Sequence, residues 1–79
     1  MKFECTFWNP ESQLDIGETE FIEAENKIKA LTKMLKGKIN TPDFIKVWSD
    51  VIGSNFFEIH KANNGSIIKL VSVEAGGKL

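Results

Sequence analysis

The clearest pattern in the chain is a pair of alternating segments on either side of Asn64-Gly65. Residues 56–62 and 66–73 are rich in β-branched and aromatic residues, which are typical of β-strands. Asn-Gly favours a two-residue type I′ turn, because both central positions of that turn need a positive φ. The two segments therefore predict a β-hairpin in which Ile59 lies opposite Leu70.

This register gives the predicted hairpin one apolar side and one mixed side, since alternate residues of a strand point in opposite directions. The apolar side, expected to face the core, has four residues: Phe57, Ile59, Ile68 and Leu70. The mixed side has six: Phe56, Glu58, His60, Lys69, Val71 and Val73. A slip of one residue would exchange the sides of a strand, so the predicted core depends on the register.

Two further strands are predicted near the N-terminus. Residues 2–8 alternate and predict the first strand, whose apolar side has three residues: Phe3, Cys5 and Phe7. Residues 9–12, Asn-Pro-Glu-Ser, end this strand, because proline cannot donate to a ladder and Asn-Pro favours a turn. Residues 13–17 are expected to continue the connection, and residues 18–24 to form a second strand with a weaker pattern.

A short helix is predicted over residues 27–36. Asn26 is a suitable N-cap, since its side-chain oxygen can accept a hydrogen bond from the first turn. The apolar residues recur at i, i+3 and i+7, which places them on one side of a helix: Ile28, Leu31 and Leu35. Gly37 can adopt the left-handed conformation that ends many helices, and lysines in the last turn suit the helix dipole.

Residues 41–52 allow two interpretations. As a helix, the segment begins with a threonine N-cap followed by proline, and its apolar residues share one side. As a strand, it ends at Gly53-Ser54, a suitable type II′ turn, and Trp48 then lies opposite Ile59. We favour the strand, because Trp48, Ile59 and Leu70 would form one row across three strands, and the helix remains the alternative.

These elements predict one domain over residues 1–79, with the order ββαβββ. The expected architecture is α+β: a single antiparallel sheet with one helix packed on one face. A chain of this length buries only about 60% of its unfolded surface, which leaves too little volume for a deep catalytic cleft. Residues 74–79 are expected to be a frayed tail.

The composition predicts a protein of the cytoplasm. Cys5 is the only cysteine, so no internal disulfide can form, and a reducing compartment is the natural one. The first residues lack the long apolar region of a signal peptide, and no segment has the length and apolarity of a membrane span. We therefore expect no contact with a membrane.

The sequence shows no set of catalytic residues. His60 is the only histidine, and with Cys5 it could supply at most half of a zinc site. We favour a plain surface or sheet-face histidine, opposite Lys69. Because there is also no glycine-rich phosphate loop, nucleophile elbow, HExxH or CxxC motif, we expect no enzymatic activity, no cofactor and no metal.

The net charge of −1 conceals a separation of charge along the chain. Residues 1–26 hold seven acidic residues and one lysine, whereas residues 27–46 hold six lysines and one aspartate. The candidate partner-binding residues are four of these lysines: Lys29, Lys33, Lys36 and Lys38. They form either a solvated helix face or a cationic ridge for phosphate or an acidic protein groove. The acidic segment is the other candidate surface, for a basic partner.

The junction Glu23-Ala24-Glu25-Asn26, followed by Ala30, resembles the EAE(S/N)xxxA junction of small phage-encoded anti-CRISPR proteins that inhibit type I-F surveillance complexes. The meander that follows, with its glycine-containing hairpin, is also similar, and the likeness extends loosely over most of the chain. The resemblance implies a non-enzymatic protein that binds a CRISPR–Cas complex and blocks its target DNA sterically.

In this interpretation, the four lysines contact an acidic rim of the complex or imitate the DNA-facing contacts of a Cas subunit. Two other functions remain open from the sequence. One is a protein that binds nucleic acid directly through the same lysines, although such proteins usually have a net positive charge. The other is a general protein–protein interaction module.

Overall fold

The computed structural model describes residues 1–52 and 55–72, which form five strands and one helix. In chain order the elements are β1 (Lys2–Asn9), β2 (Leu14–Glu23), α1 (Lys27–Met34), β3 (Phe44–Ile52), β4 (Asn55–Ala62) and β5 (Ile67–Ser72). The strands pair antiparallel in one sheet, in the order β2-β1-β5-β4-β3. The predicted α+β fold with the order ββαβββ is therefore confirmed. In the described part of the chain, no helix is both long and apolar enough to cross a membrane.

β1 and β2 form a longer hairpin than the sequence predicted. β2 begins at Leu14, inside the segment that was expected to be a connection. The turn is compact because Asn9 Oδ1 accepts hydrogen bonds from the backbone N–H groups of Glu11 and Ser12, at 2.9 and 3.3 Å. The pairing of β2 with β1 shifts in register, and Gly17 of β2 has a φ of 77°. This irregularity interrupts the alternation of side chains along β2, which explains why its sequence pattern is weak.

α1 begins where predicted and ends two residues earlier. Asn26 is extended and its Oδ1 accepts a hydrogen bond from Lys29 N–H at 2.9 Å, so the predicted N-cap is confirmed. Lys36 and Gly37 both have a positive φ after the helix. The buried residues of this region are Ala30, Leu31, Met34 and Leu35.

The predicted apolar side of α1 is wrong for Ile28, which is 52% exposed. The helix packs on the sheet through the side centred on Ala30 and Leu31, both fully buried. The small Ala30 side chain allows the helix to approach the sheet closely, and that orientation turns Ile28 towards solvent.

Replacing Asn26 by alanine is expected to lower the free energy of unfolding by about 1 kcal/mol, because the first turn of α1 loses its side-chain acceptor. Urea denaturation measures the effect. Asn40→Ala is the matched control, since Asn40 is an exposed asparagine outside the helix. Equal losses for the two variants would contradict the capping role of Asn26.

The main core lies between α1 and one face of the sheet, called the covered face below. Phe3 and Cys5 of β1 and Ile68 and Leu70 of β5 are at most 1% exposed and belong to one cluster with the buried residues of α1. Phe7 packs against the same cluster. The predicted inward side of the first strand is therefore confirmed.

The β4–β5 hairpin differs by one residue from the predicted register. Ile59 lies opposite Lys69, not opposite Leu70. Ala62 N–H donates to the carbonyl oxygen of Ser66 at 2.8 Å, which leaves three residues in the loop. Only Gly65 in this loop has a positive φ, of 91°. The predicted type I′ turn is therefore wrong, and the loop has the form of a tight turn closed by a left-handed glycine.

Asn63 provides the physical reason for the longer loop. Its backbone N–H donates to the carbonyl oxygen of Asp43 at 3.0 Å, and its Oδ1 accepts from Asp43 N–H at 3.2 Å. Its Nδ2 also donates to the carbonyl oxygen of Thr41 at 3.0 Å. These bonds to the segment before β3 hold Asn63 in the loop, whereas the predicted turn had only Asn64 and Gly65 as its central residues.

The changed register divides the four predicted core residues between two faces of the sheet. All four are buried, at 6% exposure or less. Ile68 and Leu70 lie on the covered face, whereas Phe57 and Ile59 lie on the opposite face. The sheet therefore has buried apolar residues on both sides.

Residues 44–52 are a strand, so the favoured interpretation of this segment is confirmed and the helix alternative is wrong. Trp48 lies opposite Ile59, as predicted. The row then continues through Lys69 to Thr6, and the predicted continuation to Leu70 is wrong. The predicted turn at Gly53-Ser54, Val73 and the predicted tail lie outside the described residues.

Both edge strands of the sheet are irregular. The register shifts between Cys5 and Phe7 in the β1–β2 pair and between Lys46 and Trp48 in the β3–β4 pair. Such irregularities hinder the addition of a strand from another molecule.

Candidate functional site

The face of the sheet opposite α1, called the open face below, carries a cluster of aromatic side chains. The ring centroids of Trp8 and Trp48 are 5.8 Å apart, with an angle of 41° between the ring planes. Trp48 also meets Phe57 edge to face, with centroids 5.4 Å apart. Because β5 and β4 separate the strands of the two tryptophans, their side chains reach towards each other across the sheet.

This cluster explains how two apolar residues are buried on the face that α1 does not cover. Ile59 is 1% exposed and Phe57 is 6% exposed. Trp48 lies opposite Ile59 in the strand pairing and contacts Phe57 through its ring. The open face thus has a small apolar cluster of its own, in which Trp48 itself remains 40% exposed.

A depression of about 270 Å³ lies beside these rings and is called the aromatic cleft below. Its walls include the three aromatic rings and two charged residues, Asp15 and Lys69. Asp15 Oδ1 and Lys69 Nζ are 2.8 Å apart, and both side chains are partly exposed. The cleft therefore combines aromatic surface with an accessible carboxylate and an ammonium group.

Two strongly exposed apolar residues extend the open face to both edges of the sheet. Phe21 on β2 is 72% exposed and Ile45 on β3 is 67% exposed. Their partners in the strand pairing, Glu4 and Lys61, place both on the open face. Exposed apolar residues thus lie at both edges of the open face.

The four lysines predicted to bind a partner lie next to the acidic segment of the same chain. Lys29 Nζ contacts the Glu25 carboxylate. Lys33 Nζ donates to the carbonyl oxygen of Glu23 at 2.7 Å, and Lys36 Nζ is 3.3 Å from the Glu20 carboxylate. Lys38 is exposed in the segment that follows α1.

The two oppositely charged segments are therefore neighbours in the fold, although they are separate along the chain. The ion pairs of Lys29 and Lys36 are exposed, with lysine side chains at 60% and 63% exposure. Exposed pairs of this kind contribute only about 0–1 kcal/mol each, so a partner could displace them at little cost. Their main effect is to reduce the positive potential of the predicted ridge.

Sequence reasoning missed a buried polar group on the covered face. Glu58 Oε1 is 2.9 Å from His60 Nε2, and Glu58 Oε2 accepts a hydrogen bond from Lys27 Nζ at 2.9 Å. Glu58 and His60 are 6% and 7% exposed. His60 lies opposite Ile68, so its predicted position opposite Lys69 is wrong. The i, i+2 spacing of Glu58 and His60 was the available signal, because it places both on the same side of any strand.

The geometry of this polar group limits its chemistry. Because His60 Nε2 faces a carboxylate, Nε2 donates this hydrogen bond, and Nδ1 is the ring nitrogen that could act as a base. Nδ1 is buried and has no hydrogen-bond partner within the described residues. A general base must lie within hydrogen-bond reach of its substrate, and here the protein encloses the basic nitrogen. Across residues 1–52 and 55–72, no three histidine, cysteine or acidic side chains are grouped to bind a metal ion.

Burial and charge change the acidity of two groups in the core. Burial alone would raise the pKa of the Glu58 carboxyl, but hydrogen bonds and charge from Lys27 and His60 outweigh it and lower that pKa. Burial, with a smaller effect of the nearby Glu20 charge, raises the pKa of the Cys5 thiol to about 11. Cys5 is therefore held as a thiol, which is the unreactive form.

Glu58→Gln is expected to lower the free energy of unfolding by about 1–2 kcal/mol at pH 7, because Lys27 and His60 lose a charged acceptor. The folded-state pKa of Glu58 lies below its ordinary value of 4.5. Its stabilising effect is therefore present above pH 4.5 and disappears as the pH falls through the folded-state pKa. The difference between parent and variant should therefore shrink as the pH falls below 4.5, as measured by urea denaturation.

Glu11→Gln is the control for this prediction, since Glu11 is an exposed residue of the β1–β2 turn. It should change the stability by less than about 0.5 kcal/mol both above and below pH 4.5. A deficit of Glu58→Gln that stays constant as the pH falls below 4.5 would contradict a carboxylate stabilised by Lys27 and His60.

The junction that resembles the anti-CRISPR proteins lies between the end of β2 and the start of α1. Ala24 is buried and its N–H donates to the carbonyl oxygen of Met1 at 3.0 Å, and Asn26 caps the helix. Packing and capping thus account for the small residue and the asparagine at these positions. In comparisons with known proteins, no family model, no curated protein and no solved structure matches the chain.

Proposed function

We propose that this chain is a small non-enzymatic binding protein that acts by occupying the surface of a protein partner. The observation that carries the proposal is the exposed apolar surface of the open face, with Phe21, Ile45 and Trp48 at 72%, 67% and 40% exposure. Exposed apolar patches with a polar surround are typical of protein interaction sites. Aromatic side chains, tryptophan above all, often provide most of the binding energy in such sites.

The charges near the aromatic cleft support a protein partner rather than nucleic acid. Asp15 lines the cleft, and Asp50 is exposed opposite Phe57 on the same face. Surfaces that stack bases usually place lysines and arginines beside the aromatic rings, so that the phosphates are neutralised. The lysine of this cleft, Lys69, is instead paired with Asp15. The rival function, direct binding of nucleic acid through Lys29, Lys33, Lys36 and Lys38, has less support, because neighbouring acidic residues reduce the potential of that ridge.

The buried polar group supports binding rather than catalysis. His60 has the carboxylate partner that a catalytic histidine would need, but its remaining nitrogen is enclosed by the protein. The aromatic cleft has a carboxylate and an ammonium group but no histidine or cysteine nucleophile among its walls. Neither place combines an accessible base with an accessible nucleophile.

The resemblance of the strand-to-helix junction suggests the kind of partner. In the specific form of the proposal, the chain is an anti-CRISPR protein of a phage or mobile element, and it binds a CRISPR–Cas surveillance complex in the host cytoplasm. It would then prevent loading of target DNA sterically. We propose the open face as the principal contact surface, and the four lysines as the alternative one.

The test measures binding of a labelled target duplex by a purified type I-F surveillance complex, with and without the chain. We expect the chain to reduce this binding and Ile45→Glu to remove the effect, because a charge is introduced into the open face. Ile28→Glu is the matched control, since Ile28 is also a half-exposed isoleucine but lies on α1. It should retain full inhibition.

Other outcomes of this test would change or reject the proposal. If the variant with the four lysines changed to glutamate loses inhibition and Ile45→Glu retains it, the contact surface is the ridge. If no CRISPR–Cas complex tested is inhibited, the anti-CRISPR form is wrong. If the chain binds the bare duplex with an affinity that falls steeply with salt concentration, the nucleic-acid rival is favoured.

A further inference from the structure

We infer that the aromatic cleft binds an arginine side chain presented by the protein partner. The inference rests on the proposed function, and it identifies the chemistry that the open face would recognise. It follows from three features of the cleft: its size, the arrangement of its indole rings and the carboxylate in its wall.

The size of the cleft suits one side chain. Its volume of about 270 Å³ lies just below the roughly 300–1,000 Å³ that is typical of pockets for drug-sized ligands. The Trp8 and Trp48 planes meet at 41°, so the rings form an open V rather than a closed stack. A flat group can therefore lie on an indole face without separating the two tryptophans.

A cation is the favoured occupant of such a site. The face of an aromatic ring attracts positive charge, and tryptophan does so most strongly. Asp15 lies opposite Trp8 in the β1–β2 pairing and lines the same cleft, so a carboxylate adjoins the indole rings. A guanidinium group can stack on an indole and still donate hydrogen bonds to a carboxylate, which an ammonium group cannot do in the same plane.

Lys69 at present provides the positive partner of Asp15. Its Nζ is 2.8 Å from Asp15 Oδ1, and the two side chains are 27% and 43% exposed. Ion pairs with this much exposure contribute little to stability. An incoming guanidinium can therefore share the carboxylate with Lys69 or replace it at low cost.

A nucleobase could also stack on these rings, but the surrounding charges oppose it. Asp15 lines the cleft and Asp50 lies exposed on the same face, opposite Phe57. Phosphate groups attached to the base would have to approach both carboxylates. An arginine on a peptide carries no phosphate and is attracted by Asp15, and the one like charge in the cleft wall, Lys69, is already paired with that carboxylate.

The experiment follows the two tryptophan indole N–H signals of the full chain by NMR during titration with the blocked tripeptide acetyl-Gly-Arg-Gly-amide. The control tripeptide has citrulline in place of arginine, which has nearly the same shape and no charge. We expect saturable shifts with arginine, with a dissociation constant in the millimolar range, and binding at least about tenfold weaker with citrulline.

Two matched variants test whether the carboxylate of Asp15 is the one that binds the guanidinium group. Asp15→Asn should weaken binding of the arginine peptide roughly threefold to tenfold, because the guanidinium loses a charged acceptor. Asp50→Asn removes the same charge from an exposed residue outside the cleft walls and should change binding less than about twofold. Both replaced side chains are exposed, so both variants should fold.

Equal shifts with arginine and citrulline, or no effect of Asp15→Asn, would overturn the inference. A saturable response to an oligothymidine and none to the arginine peptide would overturn it as well and would favour nucleic acid. The proposed function has a separate readout, since Ile45→Glu tests the open face without changing the cleft charges. The parent chain could inhibit the complex, and Ile45→Glu could fail to inhibit it, while the arginine titration shows no binding. That combination would reject only the arginine contact.

Discussion

Phe3→Ala is expected to lower the free energy of unfolding by about 3–5 kcal/mol. Phe3 is fully buried, lies opposite Ile22 on β2 and belongs to the cluster under α1. Its removal would leave a cavity at the point where the helix, β1 and β2 meet. At roughly 0.05–0.15 kcal/mol per residue, a domain of this size has only about 4–12 kcal/mol of stability, so the loss should be a large fraction of the total.

Phe21→Ala is the control for this result. It deletes the same atoms from a residue on the adjacent strand that is 72% exposed on the open face. It should cost less than about 0.5 kcal/mol. Urea denaturation of the parent and both variants provides the comparison, and similar losses for Phe3→Ala and Phe21→Ala would contradict the placement of the core.

Ile59→Ala is expected to cost about 2–4 kcal/mol, although Ile59 lies on the face that α1 does not cover. Its 1% exposure results from the aromatic cluster, in which Trp48 lies opposite it and meets both Trp8 and Phe57. The removed atoms would leave a cavity beneath these rings. The open face thus contributes to stability as well as forming the proposed contact surface.

Ile45→Ala is the matched control for Ile59→Ala. Ile45 is on the neighbouring strand and the same face, but it is 67% exposed. Its replacement should change the free energy of unfolding by less than about 0.5 kcal/mol. If Ile59→Ala also costs less than that, the aromatic rings do not shield Ile59 and the open face has no apolar cluster of its own.

The parts of the fold that were predicted correctly depend on neighbours in the sequence. The cap of α1 needs only Asn26 and an amide three residues later, and the structure has that hydrogen bond. The inward side of β1 follows from strict alternation of Phe3, Cys5 and Phe7. β3 and β4 follow one another in the sequence, so the pairing of Trp48 with Ile59 could also be predicted.

The register of β4 and β5 could not be predicted, because it depends on residues far away in the sequence. Both sides of β4 carry buried residues, so hydrophobic alternation does not distinguish one register from the next. The hydrogen bonds of Asn63 to Thr41 and Asp43 lengthen the loop, and they form only when β3 is in place. A strong local turn signal at Asn64-Gly65 was therefore overridden by tertiary contacts.

The candidate site was missed for the same reason. Trp8 and Trp48 meet only because β5 and β4 lie between their strands in the sheet, an order that the sequence pattern does not reveal. Asp15 joins them because β2 extends into a segment that was expected to be a connection. The lysines were identified from the sequence as a charged group, but their nearness to Glu20, Glu23 and Glu25 appears only in the fold.

The sheet has buried apolar residues on both faces, and α1 covers only one of these faces. This arrangement requires that Ile59 lies opposite Lys69. Cross-strand NMR contacts between the backbone α-protons of β4 and β5 measure this register directly. We predict a contact between the α-protons of Ile59 and Lys69, which places Ile59 and Trp48 on the open face. A contact between the α-protons of His60 and Lys69, the neighbouring pair in the register with Ile59 opposite Leu70, would instead place Ile59 under α1. The open face would then lose the cluster on which the proposed binding surface is built.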